Sequence, residues 1–236
     1  MITQFNEYRN NLVQPDNQIE QDHIISEYLA TFEPKMVILE NYWTEELFSN
    51  TLSVMPFLSN IGNILENDRI IRVAHRYFDS AESLSYYVKQ PNGIIWKDED
   101  VYGAIVYYVA AHGLEAGLDA TLGKITKDQL IDTFRGLGEL YPNLLYFGSC
   151  SIFGGSKGKE FGEELLAATG CKAILGYQSQ KVGFLHSIIT DLLFLSRFLG
   201  YTADDPFKIL PDLYNSVLTD FPPSIELGFT MFYSGV

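Results

Sequence analysis

Eight consecutive residues, Ala104-Ile-Val-Tyr-Tyr-Val-Ala-Ala111, carry no charge and are rich in branched and aromatic side chains, and they stop at His112-Gly113. A continuous apolar run of this kind suits a strand covered on both faces of a parallel sheet. Shorter runs of the same character occur at Lys35–Glu40, Ile70–Phe78, Leu144–Gly148 and Cys171–Tyr177, and Glu226–Tyr233 reads as a last strand.

Helical segments lie between these runs. Thr44 with Glu45 and Glu46 opens one to about Leu65 that Pro56 kinks or divides, and Ser80–Lys89 ends at Pro91-Asn92-Gly93. Thr126 and Gln129 form a capping box for a helix through about Leu140, closed by Pro142. A flexible loop Gly154-Gly-Ser-Lys-Gly158 precedes a helix to Thr169; Gly183–Leu199 is a long apolar helix; Asp205-Pro206 starts another that runs to Asp220. Strands alternating with helices predict an α/β fold, a three-layer αβα sandwich with a mostly parallel sheet over residues 35–236. Residues 1–34 are a polar, partly helical arm closed by Pro34.

Charge narrows the function. A net charge of -14 and a pI near 4.6 argue against nucleic acid or anionic lipid as partners, since both need clustered Lys and Arg. The polar start MITQFNEYRNN and the lack of an apolar run of about 18 residues predict neither export nor a membrane span, hence a cytoplasmic protein with reduced thiols. Cys150 and Cys171 fit no metal-ligand spacing, so neither metal nor cofactor is expected.

In open α/β sheets ligands bind beyond the carboxyl ends of the strands, where His112 and Cys150 stand. A thiol beside an imidazole suits nucleophilic catalysis, the thiolate attacking and the imidazole handling the proton of the leaving group. Gly113 and Gly148 would let the backbone turn and approach a substrate, and the amides of Gly113 and Cys150 are the candidate oxyanion donors. The bland alternative makes Cys150 a small buried hydrophobe and His112 a satisfied turn residue. Ser149 and Ser151 are read as tuning the thiol, Cys171 as packing, His186 as a hydrogen-bonded core residue, His75 as a possible neighbour of the crevice and His23 as part of the arm. The run Gly154–Gly158 lacks the spacing of a phosphate loop, and Lys97–Asp100 reads as a solvated turn.

The segments VYYVAAHGLEAG, LLYFGSCSIFGG and KAILGY, in that order, resemble the clan of caspases, separase, gingipains and CHAT-domain peptidases, the CHAT group most closely, over roughly residues 35 to 236. The resemblance implies a caspase-like (hemoglobinase-like) fold and a cysteine endopeptidase with a Cys-His dyad. Cys150 would be the nucleophile, His112 the general acid and base, and Gly113 with Cys150 the oxyanion donors, with no third member required. The Q-A-C caspase signature is absent. Separases and some relatives carry an acidic residue after the fifth strand, where this chain has Gln178-Ser179-Gln180-Lys181. Candidate substrate-binding residues are therefore Gln178 and Ser179, with Glu115 or Asp119 as carboxylates for a basic side chain and Lys181 for an acidic one. The resemblance further implies a protein or peptide substrate and an activating protein partner, as in effectors of prokaryotic defence or programmed death. A catalytically inactive caspase-fold signalling module is the alternative, and a flavodoxin-like binder a third reading.

Overall fold

The computed structural model describes residues 34–41, 53–61, 71–98, 103–139, 141–180, 182–201 and 205–235. Its main sheet has six strands, β1 (Lys35–Asn41), β2 (Arg72–Phe78), β3 (Val106–Ala110), β7 (Leu144–Phe147), β8 (Ala173–Tyr177) and β9 (Phe229–Tyr233), in the order β2-β1-β3-β7-β8-β9. All neighbours pair in parallel except β8 and β9, which are antiparallel. The long apolar run is the middle of this sheet, and each of its strand residues is buried. A second sheet follows it at once: β4 (His112–Leu114), β5 (Gly117–Ala120) and β6 (Gly123–Ile125) form a three-stranded antiparallel meander.

Helices cover both faces. One layer comprises α2 (Ala81–Val88), α3 (Lys127–Phe134) and α4 (Gly155–Thr169), whose Leu84, Phe134 and Phe161 join Val109, Phe147 and Leu118 in one core. The other comprises α1 (Met55–Leu58), α5 (Phe184–Gly200) and α6 (Leu210–Asp220), with Leu58, Phe194 and Val217 packed on Ile38, Tyr146 and Leu175. A short helix α7 (Pro223–Glu226) leads into β9. The described chain is thus an α/β three-layer arrangement with a mostly parallel sheet, as the alternation of segments predicts.

Several boundaries differ from expectation, each for a local reason. Of the helix expected from Thr44 to Leu65, residues 44–52 and 62–65 lie outside the described residues, and Pro56 occupies the first turn of α1, where its missing N–H costs nothing. The helix opened by the Thr126–Gln129 capping box stops at Phe134 because Arg135 adopts extended ψ. The run Gly154–Gly158 is no flexible loop: Gly158 N–H donates to Gly154 O at 3.0 Å, and α4 starts at Gly155 because its stripe of Phe161 and Leu165 is buried. Asp205 caps only a turn, its Oδ1 accepting from Phe207 N–H at 2.9 Å, and α6 begins at Leu210 with Pro211 in its first turn. The segment from His112 onward, where the apolar run stops, continues as the meander.

The second layer holds a polar knot. Tyr108 on β3 stands in register with Tyr146 on β7, and Tyr177 on β8 lies two residues past Tyr146's partner Leu175. All three hydroxyls donate to the carboxylate of Asp191 on α5, which is 1% exposed. A buried carboxylate without partners would be very costly, and the three donors offset that cost. Burial pushes Asp191 up to about 6, with the three hydroxyls pulling it part of the way back.

Asp191 therefore binds its proton more tightly in the folded than in the unfolded chain. Its contribution to stability is fully present below pH 3.8 and is lost as pH rises through about 6. Urea melts between pH 4 and pH 7 are expected to show a fall over this window that Asp191→Asn removes. Tyr146→Phe, which deletes one of the three donors, is expected to cost about 1–3 kcal/mol at pH 7 in the same melts.

Candidate active site

The two central strands end side by side. Gly148 N–H donates to Val109 O at 2.9 Å, and Ala111 N–H donates to the buried Ser149 Oγ at 3.2 Å, so the β3 and β7 ends remain joined past the sheet. This side chain therefore bridges two strand ends, a different task from the tuning of the thiol that the sequence suggests. Gly148 also passes directly over the tyrosine knot: a Cβ there would lie 2.0 Å from Tyr108 Oη. The close approach expected of Gly148 is made to the protein's own core.

Cys150 follows, half-buried. Ser151 turns the chain in the left-handed region at φ 56, an uncommon conformation for a residue with a side chain. The segment is pinned on one flank by Ser151 N–H to Ser179 O at 2.8 Å and Phe153 N–H to Tyr177 O at 3.1 Å. Those partners are anchored in turn, because Gln178 and Ser179 N–H donate to the carbonyls of Gly228 and Leu227.

The meander holds the other flank. Ala116 N–H in the β4–β5 turn donates to Ile152 O at 3.1 Å. Gly113 meets the main chain of Cys150 so closely that a Cβ would lie 1.6 Å from the Cys150 carbonyl oxygen. The Cys150 thiol points to Gly113 O at 3.8 Å, a weak sulfur donor contact. The strand bearing His112 is thereby docked on the segment bearing Cys150, and His112 itself is exposed on β4. Among the described residues, Cys150 N–H donates to no backbone carbonyl.

The candidate substrate-binding residues separate into three situations. Gln178 and Ser179 border the Cys150 segment, and Gln178 Nε2 donates to Thr230 Oγ1 at 3.3 Å. Glu115 lies over the start of α4: a Cβ on Gly155 would be 2.5 Å from its Oε1. A carboxylate there suits a helix whose N-cap residue Gly154 supplies no side-chain acceptor. Asp119 is exposed on β5 directly opposite His112. Lys181 lies outside the described residues.

Of the remaining candidates, Cys171 is 1% exposed and burial pushes its thiol up to about 12, which suits packing. His75 Nε2 lies 2.9 Å from the fully buried Glu40, which also accepts from Ser53 Oγ and Val54 N–H. His186, expected in the core, is exposed on α5 with its ring edge-on to Phe221. The apolar helix has a solvent side in its first turns, and His186 falls on it. His23 lies outside the described residues. Among the described residues, no group of three His, Cys, Asp or Glu side chains is placed to hold a metal ion, and no helix is long and apolar enough to cross a membrane.

Sequence reasoning missed the bridging role of Ser149, the docking of Glu115 on α4 and the support from Asp191. Only the last left a signal, a lone carboxylate within the apolar helix LHSIITDLLFL. Compared with known proteins, the chain matches no family model and no curated sequence.

Two outcomes follow from this packing. Gly113→Ala forces a methyl group into the Cys150 main chain and is expected to cost about 3 kcal/mol, read from urea unfolding. Iodoacetamide is expected to modify Cys150 in the native protein and Cys171 only after unfolding, as peptide mass mapping would show; equal labelling of both would contradict the burial described.

Proposed function

We propose that this chain is a cysteine endopeptidase of the caspase-like clan, acting on a protein or peptide substrate through an acyl-enzyme on Cys150. The observation that carries this reading is the docking of the His112-bearing hairpin onto the Cys150 segment through Gly113, at the carboxyl ends of adjacent parallel strands. Two residues far apart in sequence are thus held at one edge of a rigid sheet, where a substrate can reach them.

In this reading the Cys150 sulfur, having given its proton to His112, attacks the carbonyl carbon of the scissile amide and the carbonyl electrons move to oxygen. The amides of Cys150 and Gly113 receive that oxyanion. His112 delivers a proton to the amide nitrogen as the carbon–nitrogen bond breaks, leaving a thioester. Water then adds to the thioester, yields its proton to His112, and the sulfur departs. In the same reading Gln178 and Ser179 line the substrate's path, which the bond from Ser151 N–H to Ser179 O and those from Gln178 and Ser179 N–H to the Gly228 and Leu227 carbonyls support. Activation by a protein partner, and a role as an effector in prokaryotic defence or programmed death, belong to the same reading by resemblance.

The test is cleavage of a peptide library by the full chain with its candidate activators. Cys150→Ala is expected to abolish cleavage, and His112→Ala to lower kcat by about a thousandfold, within the range of lost general acid–base catalysis. Cleavage that persists after Cys150→Ala would overturn the mechanism. Partner binding without any cleavage would favour the inactive signalling module instead.

A further inference from the structure

We propose that Ser149 is a positioning residue for the peptidase centre. Its hydroxyl fixes the bend at which the chain leaves the main sheet toward His112, and with it the spacing between the backbones that carry His112 and Cys150. The inference rests on the peptidase reading and adds to the dyad a side chain that the resemblance does not call for.

The ladder between β3 and β7 matters for where it stops. Leu144 N–H donates to Ile105 O at 2.9 Å and Gly148 N–H to Val109 O at 2.9 Å, in step with the parallel register of the two strands. One further step of the same ladder would join Ala111 N–H to Gly148 O and Cys150 N–H to Ala111 O. Among the described residues neither bond is present, and Ala111 N–H donates instead to Ser149 Oγ at 3.2 Å. A side chain thus takes the place of a main-chain acceptor where the two central strands part, one residue before His112 and one before Cys150.

Ala111 is the single residue between β3, which ends at Ala110, and β4, which begins at His112, and the chain bends there from one sheet into the other. Ala111 and Ser149 are each 1% exposed, so solvent does not take over the bond, and a buried N–H needs an acceptor. The Ser149 side of the clasp is itself held. Gly148 before it lies against the Tyr108 hydroxyl, and Ser151 after it donates its N–H to Ser179 O at 2.8 Å. A fixed post on one strand end therefore holds the bend on the other. Without the hydroxyl the bend loses that restraint, and a misplacement of about 1 Å between reacting groups is enough to slow a reaction about a hundredfold.

The experiment sets cleavage kinetics beside amide hydrogen exchange, on the full chain with a peptide that the library shows it to cleave. Ser149→Ala is expected to lower kcat by roughly ten- to a hundredfold with KM changed less than about twofold, and to speed exchange of the Ala111 amide at least about tenfold. Ser149→Thr, which keeps the hydroxyl acceptor, is expected to restore most of kcat and the protection of Ala111. Ser85→Ala removes a hydroxyl pair with Thr133 at 2.7 Å, between α2 and α3 and away from the site. It is expected to leave kcat unchanged, which separates positioning from a general loss of stability. Should Ser149→Ala fold poorly, Ser149→Cys, of similar size and a weaker acceptor, repeats both measurements. An unchanged kcat in Ser149→Ala, or an equal loss in Ser149→Thr with Ala111 still protected, would overturn the proposal. The peptidase reading fails separately, through cleavage that survives Cys150→Ala, and exchange at Ala111 then still decides whether the hydroxyl holds the bend.

Discussion

At Gly113 the chain comes so near the Cys150 carbonyl that no side chain fits between them, and the placement of two separate parts of the fold depends on that approach. Among the described residues, the antiparallel meander shares no ladder with the main sheet. It is held instead by main-chain contacts at Gly113 and Ala116 with the segment that follows β7, by Leu122 N–H donating to Asp79 O at 2.8 Å beyond β2, and by Leu118 and Ile125 in the core. Because the main-chain contacts involve backbone atoms, they fix the hairpin without the rotamer freedom that a side-chain contact would leave.

Beneath that contact lies a second one of a different kind. Gly148 rests on the Tyr108 hydroxyl, and that hydroxyl is committed to Asp191 together with those of Tyr146 and Tyr177. Hydrophobic packing alone would allow α5 to slide along the sheet, since dispersion contacts are individually weak and not directional. Three hydrogen bonds converging on one carboxylate give the helix a single position. The Cys150 segment is accordingly supported from below by a polar anchor and from the side by a steric one.

The sequence foretold the main sheet well and the small one badly, for physical reasons. Strands buried on both faces, such as Val106–Ala110, write themselves as uninterrupted apolar runs. Strands of three or four residues rich in glycine, such as Gly123–Ile125, have no period to read, and the meander exists because Leu118 and Ile125 reach the common core. The helical start of α4 inside a glycine run is likewise a tertiary outcome that local propensity opposes. At the site, His112 and Cys150 were legible as strand-end residues, whereas the bridging by Ser149 and the opposition of Asp119 to His112 depend on register, which alternation of side chains cannot supply for such short strands.

The two amides that anchor the Gln178–Ser179 flank donate to carbonyls at Leu227 and Gly228, next to the antiparallel strand β9. A chain made from its amino end has Cys150 in place long before those carbonyls emerge from the ribosome. Until they do, the Cys150 segment has one flank only, and its thiol belongs to a nascent chain whose fold is unfinished. Synthesis itself thereby delays assembly of this centre until nearly all of the described fold exists.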